Sequence, residues 1–521
     1  MTYQDRPLLG SDIPSRTRLL PPKWLWILIL VYVLVFSVLS VLKHDTFHSY
    51  ILDLGIMSQV LWNTAQGRLF ETSLGRPLNS ELVGSYLGNH VRPILLLLAP
   101  LYRLWPAPDL LLILQSAVLA LGAVPLFWIV QRELRSPWLR GGLVVSYLLY
   151  PALGYLNLFD FHPVALSVPA TFFAYWALQE KRKVLFWSAA LLALATKEEM
   201  VVPVAAFAIY CMARPQWRKS GLILLILAIL WAYICFAIII PRYNEGRPYR
   251  FAALWSHLLP TKLEGQSGRV DGLQFLFSVD SLYFFVHLFL PLGFLPLLGP
   301  GLLAVSVPSL IYLLLSSRPA HHRIGFQYPA VLIPWLFLAA VQGLKRLEHW
   351  PVARRMVREW LPLLLMLVGT LGGNLAFSPL RFHWFNGAFS SLPHHKQIEA
   401  AMAQIPPQAG VATINTLGPH LAHRRHLIGL DGYPLPLRQD HLQHVDYVLL
   451  DLVDCRAFEV PEPRATYTAM TRELLDMQEF GVRYWSDRIL LLERGIPAGS
   501  ELDEVRAYVE RLVAEGRPCW P

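Results

Sequence analysis

The runs "KWLWILILVYVLVFSVLSVL" from Lys23 and "GLILLILAILWAYICFAIII" from Gly221 are nearly free of charge, and other apolar stretches of similar character recur through the chain. About 20 apolar residues in an α-helix span the roughly 30 Å of hydrocarbon in a bilayer. In lipid the backbone must satisfy its own hydrogen bonds, which leaves a helix bundle as the natural form for such runs. The chain therefore reads as a mostly α, polytopic transmembrane helix bundle. Its 521 residues are 55% hydrophobic and 16% charged, against about a quarter charged in soluble domains. The net charge of +9 fits basic cytoplasmic loops better than a nucleic-acid surface. Membrane lipids are expected partners and nucleic acid is not. The first apolar run is too long for a cleavable signal and reads as a retained anchor. Of the four cysteines, Cys211 and Cys235 lie in apolar helices, while Cys455 and Cys519 lie in the tail, where they can pair if the tail is outside.

Basic clusters fix an expected topology. Arg132, Arg135 and Arg140 mark one cytoplasmic loop, Lys181 to Lys183 a second, Arg214, Arg218 and Lys219 a third, and Lys345 to Arg358 a fourth. About eleven spans follow: 24–42, 110–130, 141–157, 163–179, 184–196, 200–213, 220–240, 282–298, 300–317, 324–343 and 360–377. The stretch 91–105 is short and proline-interrupted, and reads as an interfacial or re-entrant helix on the outer side. The expected division is a cytoplasmic tail at 1–23, a transmembrane domain at 24–379 with its first outer loop at 43–109, and a small extracytoplasmic α/β domain at 380–521. In that last part helix-like stretches such as "ELDEVRAYVERLVAEG" alternate with strand-like ones such as "DYVLLDL".

With this topology the polar residues gather at the outer ends of the helices: Asp45 and Asp53, then Asn89, His90 and Arg92, Asp160 and His162, Lys197, Glu198 and Glu199, Arg242, Arg247 and Arg250, and His321, His322 and Arg323. The spans on either side of "KEE" are short, so that turn should lie inside the bundle, where ionisable groups are costly unless paired or hydrated. A structural pair of Lys197 with Glu198 or Glu199 is the plainer reading and a site lining the sharper one. If 53–66 is a helix lying along the interface, Asp53 falls on its apolar face, with Ser58, Gln59, Trp62 and Gln66 opposite. Asp45 reads as a boundary marker. His420, His423, Arg424, Arg425 and His426 are candidates to touch an acceptor, with a solvated turn as the plainer reading. Asp160 and His162 are the candidate ligands for a divalent cation, with His321 and His322 as neighbours to test and no third ligand fixed. His44 and His48 form a weaker pair.

"HDTFHSYILDLGIMSQVLWNTAQG", "GNHVRPILLLLAPLYRLW", "LFDFHPVALSVPA", "ATKEEM" and "HHRIGFQYPAVLIPWLFLAA", together with "TINTLGPHLAHRRHLIGLDGYP" in the tail, resemble an uncharacterised prokaryotic membrane family in the GT-C glycosyltransferase-like group. The resemblance covers roughly residues 24–345. It implies a GT-C-like bundle and a polyprenyl-phosphate or polyprenyl-diphosphate sugar donor. It implies that Asp53 is the essential acid of the first outer loop and Asp160 the assisting acid of the next. Arg92-Pro93 resembles the proline-bearing segment that follows that loop in relatives. His162 beside the second acid and the "KEE" turn are departures from the pattern.

The chemistry of such a transfer needs a base for the acceptor hydroxyl, cations for the leaving phosphate, and exclusion of water. Asp53 fits the first role, with Asp160 and His162 in support. Lys197, Arg242 and Arg323 fit the second, with His90, Glu198, Glu199, His321 and His322 supporting. The expectation is a multi-pass plasma-membrane glycosyltransferase with its site on the extracytoplasmic face, moving a sugar from a polyprenyl-linked donor to a lipid, glycan or protein. A transporter or flippase is the alternative, expected to place ionisable groups near mid-membrane. A non-catalytic sensor or scaffold is third.

Overall fold

The computed structural model describes residues 20–75, 81–258, 276, 278–350, 354, 356–385, 387–430, 437, 439–454, 463–497 and 499–515. Cys455 and Cys519 lie outside the described residues. Cys211 and Cys235 are buried free thiols.

The helices follow from the apolar runs, and so does their exposure. In Lys23–Asp45 a narrow stripe of Leu25, Ile29 and Tyr32 is buried against the bundle, while Trp26, Ile27, Leu30, Leu34 and Val38 face outward with no protein over them. So large an apolar surface is stable only against lipid. Among the described residues, five segments are long and apolar enough to cross a membrane: Lys23–Asp45, Pro108–Glu133, Pro137–Leu158, Pro215–Tyr243 and Met356–Phe382. Ile94–Leu104, Lys183–Leu194, Val279–Leu292 and Pro300–Leu314 are shorter apolar helices. The stretch expected at 91–105 becomes the helix Ile94–Leu104, with Leu95, Leu98 and Tyr102 buried and Leu97 and Leu104 exposed.

Beyond the bundle, the described residues form a mixed sheet of five strands. Its members are β3 (Val411–Thr413), β4 (Leu427–Gly429), β5 (Tyr447–Asp451), β6 (Phe480–Ser486) and β7 (Ile489–Arg494); β1 (Glu71–Thr72) and β2 (Gly84–Ser85) form a separate small hairpin. The sheet order is β4-β3-β5-β7-β6, with β3 parallel to β4 and β5, and β7 antiparallel to β5 and β6. Central β5 is buried along its whole length, which its unbroken run "YVLL" requires. Helices Pro393–Met402, Pro463–Asp476 and Ser500–Glu515 accompany the sheet.

The placement of the first loop is what positions the site. Its residues Phe47, Ile51, Leu54, Met57, Val60, Leu61 and Tyr102 share one apolar core with Val411, Leu417, Leu421, Ile428 and Leu450 of the sheet. The loop is thus built into the tail as much as into the bundle. Two expectations change as a result. The helix Ile56–Ala65 has no solvated polar face: Ser58 and Gln59 are fully buried. Ser58 Oγ lies 2.7 Å from Tyr102 Oη and 3.1 Å from His423 Nε2, and the Gln59 amide donates to Ser73 Oγ and the Arg424 carbonyl. Nor is the tail run a fully solvated turn, since Arg424 is buried, His420, His423 and His426 are half-buried, and only Arg425 is well exposed, beside Glu71. The reason is the same in both cases: each polar face covers much of the other.

Candidate active site

Asp53 sits in the π-helical turn Ile51–Gly55 that precedes the helix Ile56–Ala65. A π-turn leaves its residues out of step with the following helix and often marks a functional position. The turn is fixed from the tail: the Ile51 amide donates to both the backbone oxygen and the side-chain oxygen of Asn415, at 2.9 and 2.8 Å. Gly418 packs so closely on Ile51 that an added Cβ would lie 2.2 Å from its Cδ1.

The structure brings Asp53 and His162 together, with Oδ1 3.0 Å from Nε2. His162 is buried and Asp53 keeps 26% of its side chain exposed. Asp160 is different. It is 1% exposed, with Oδ1 2.7 Å from the buried Lys43 ammonium and Oδ2 accepting from the Tyr50 amide at 2.8 Å. Both oxygens are committed, one of them to a cation already. Asp160 and His162 therefore do not present themselves to a shared divalent ion, and among the described residues no group of three or more His, Cys, Asp or Glu side chains converges as metal ligands. His44 and His48 also part company: the His44 ring stacks on His420 at 4.0 Å, while His48 Nδ1 lies 2.7 Å from the Thr46 carbonyl.

Asp160 has φ +62°, a left-handed conformation that costs a non-glycine residue about 1–3 kcal/mol unless its surroundings impose it. Gln115 imposes it. Its Nε2 donates to the carbonyls of Leu156, Asn157 and Asp160 at 3.0, 3.1 and 2.7 Å, and its Oε1 accepts from the His162 amide at 2.9 Å. Gln115 is fully buried in the helix Pro108–Leu121. Sequence reasoning passed over it, although one glutamine in "LLLILQSAVLAL" was the available signal.

The "KEE" turn forms a second cluster. Lys197 pairs with Glu199. Glu198 receives His90 Nδ1 at 2.6 Å, the Val91 amide at 3.0 Å and the Tyr249 hydroxyl at 2.9 Å. Tyr249 also reaches Glu199 at 3.1 Å. Tyr328 stands between the clusters, within electrostatic reach of Asp53 and Glu199, and Lys197 lies 5.8 Å from its ring. His321 packs on the same tyrosine at 4.0 Å, and both His321 and His322 are buried. A narrow cleft of about 20 Å³ lies here, lined by Lys197, Glu199, Tyr312, Gln327 and Tyr328 among others.

The expected phosphate cations divide. Lys197 lines the cleft, but Arg242 and Arg323 are exposed and form no ion pair among the described residues. Two other arginines are better placed. Arg318 lies 6.0 Å from the Tyr328 ring. Arg92 is 6% exposed, 5.6 Å from the Tyr86 ring, with its Nε buried and lacking a partner and no carboxylate paired to it among the described residues. A buried guanidinium without an anion is costly, and Arg92 is close enough to influence Glu198 and Tyr86, the latter also within reach of Asp53. Its position was visible in "HVRP", but that it pairs with no carboxylate among the described residues was not.

A family model described as "Predicted membrane protein (DUF2079)" matches residues 43–491. No curated protein matches the sequence. Among solved structures, ArnT from Cupriavidus metallidurans bound to undecaprenyl phosphate is similar, with TM-score 0.52 and 13% identity, covering 92% of this chain and 100% of that one. At that identity the likeness is one of fold: over most of its length the chain follows the fold of that protein.

Proposed function

The chain belongs to the DUF2079 family of predicted membrane proteins, and we propose that it is a membrane-embedded glycosyltransferase taking its sugar from a polyprenyl-phosphate donor on the extracytoplasmic side. The observation that carries the reading is the division of labour between two carboxylates. Asp160 is fully bonded and buried, whereas Asp53 is held at one oxygen by His162 and remains partly open. Asp53 is the base. It accepts the proton of an acceptor hydroxyl as that oxygen attacks the anomeric carbon. The bond from that carbon to phosphate breaks, and polyprenyl phosphate leaves with the electron pair. One displacement inverts the anomeric centre.

His162 donates from Nε2 to Asp53 and fixes the direction of its free oxygen. Lys43, Asp160 and Gln115 hold the turn that carries His162. Arg92 and Lys197, with Arg318 at the rim, offset charge on the leaving phosphate. The cleft at Lys197 admits no more than a water-sized group, so donor entry has to displace side chains such as Tyr312 and Tyr328. The fold likeness to a protein seen with undecaprenyl phosphate supports a polyprenyl carrier; the acceptor is a lipid, glycan or protein. In this reading the N-terminus is cytoplasmic and the sheet-bearing tail lies outside.

The test is a comparison of lipid-linked sugars and envelope glycans, by mass spectrometry, in cells lacking the gene and complemented with wild type or Asp53→Asn. A glycan that disappears on deletion, returns with wild type and stays absent with the variant supports the reading. Equal restoration by the variant contradicts it.

A further inference from the structure

A second cavity lies at the other end of the same helices. Its volume is about 360 Å³, within the size range of small-molecule sites. It opens where Ala123–Glu133, Ser167–Gln179, Val201–Met212 and Ile333–Glu348 reach their C-terminal ends. Three of those helices start beside the candidate active site, just after His162, the "KEE" turn and Tyr328. At 1.5 Å per residue the two sites are separated by about 18–24 Å.

The described residues lining the cavity include four cations, Arg132, Lys181, Arg214 and Lys345, against the single carboxylate of Glu133. Helix C-termini attract some basic side chains by their partial negative charge, and two of the four are neutralised directly: Arg132 by Glu180 and Lys345 by Glu133. Lys181 and Arg214 have no carboxylate partner among the described residues. Arg214 is held in place, its guanidinium 3.9 Å from the Tyr210 ring and Nη2 2.5 Å from the phenol oxygen. On the inner wall the Gln179 amide gives its N–H to Glu133 at 2.7 Å, while its Oε1 is buried and without a partner. The cavity thus offers two unneutralised cations, one of them pre-oriented, and a buried acceptor.

We propose that this cavity binds a phosphate ester that also carries a hydroxyl, with Arg214 and Lys181 on the phosphate oxygens and Gln179 Oε1 accepting from the hydroxyl. A planar, fixed guanidinium matches phosphate oxygens in pairs, and an amide acceptor next to it selects an ester bearing a donor over bare phosphate. The same chemistry is presented by the headgroup of an anionic glycerophospholipid in the adjoining leaflet and by a soluble sugar or glycerol phosphate. The inference does not depend on what reaction the first site performs.

The test uses the full chain in nanodiscs. In phosphatidylcholine discs it is titrated with sn-glycerol 1-phosphate, and in mixed discs containing phosphatidylglycerol the retained lipid is identified by native mass spectrometry. Selective retention of phosphatidylglycerol without binding of the soluble ester identifies a lipid site; saturable binding in pure phosphatidylcholine identifies a soluble ligand. Either supports the proposal if Arg214→Gln with Lys181→Gln weakens binding at least tenfold. Lys181→Gln alone changes an exposed side chain, leaves folding intact and is expected to weaken binding about threefold. Absence of binding by both probes, or binding that both variants leave unchanged, overturns it.

Discussion

Asp53 and Asp160 carry the same carboxylate into two settings, and their substitutions should part accordingly. Asp53→Asn should lower transfer by about 10²–10⁴-fold, the usual contribution of a general base, and leave the melting temperature unchanged. Asp160→Asn removes the partner of a buried ammonium, since Lys43 and Asp160 are 4% and 1% exposed. Breaking such a pair costs about 3–5 kcal/mol, so this variant should melt well below wild type. Gln115→Leu removes the four hydrogen bonds that hold the Asp160 turn. It should cost about 1–3 kcal/mol for the groups left unsatisfied and reduce turnover by misplacing His162; a stable, fully active Gln115→Leu protein would refute that role. The acids and the histidine were legible because ionisable residues beside apolar helices are conspicuous. Gln115 and Lys43 were not, nor was Arg92's lack of a paired carboxylate, because what marks these residues is a partner, or its absence, far away in the sequence.

At the scale of elements, the tail holds the first loop. Gly418 leaves no room for a Cβ beside Ile51, and overpacking of this kind costs about 1–3 kcal/mol. Gly418→Ala should therefore shift the Asp53 turn and cut transfer at least tenfold, with partial recovery when Ile51→Ala is added. Two tail histidines set the pH range of this arrangement. Burial pulls the His420 imidazole, stacked on His44, down to about 4. Its contribution is complete above the ordinary value of 6.5 and is lost as pH falls through about 4. Burial opposes charge on His394 too, but Asp451 and Asp487 outweigh it and raise the group to about 9. That contribution is complete below 6.5 and is lost as pH rises through about 9. Melting temperatures measured across pH should fall on both sides of neutrality. His420→Gln should flatten the acid side and His394→Gln the alkaline side; unchanged slopes would remove the assignment. The tail's helix-like and strand-like alternation could be read from sequence. Its shared core with the first loop could not, since periodicity marks an apolar face without naming what covers it.

At the scale of the molecule, the candidate active site lies at one end of the helices and the basic cavity at the other. The apolar runs predicted a membrane bundle, and the family and fold likeness agree with it. They did not determine how many helices cross, because 10–17-residue apolar helices packed in a bundle look alike in sequence whether they cross or stop inside. The proposed sidedness is testable with Cys455→Ser and Cys519→Ser as background. Gln66→Cys should react with an impermeant maleimide in intact cells, and Lys183→Cys only after permeabilisation. The most direct measurement is made on purified protein, in the presence of acceptor-containing membrane extract and a polyprenyl-phosphate sugar labelled in the sugar. Wild type should release polyprenyl phosphate and move label to an acceptor, and Asp53→Asn, equally well folded, should do neither. Equal transfer by the two proteins would contradict Asp53 as the base and with it the account of the site.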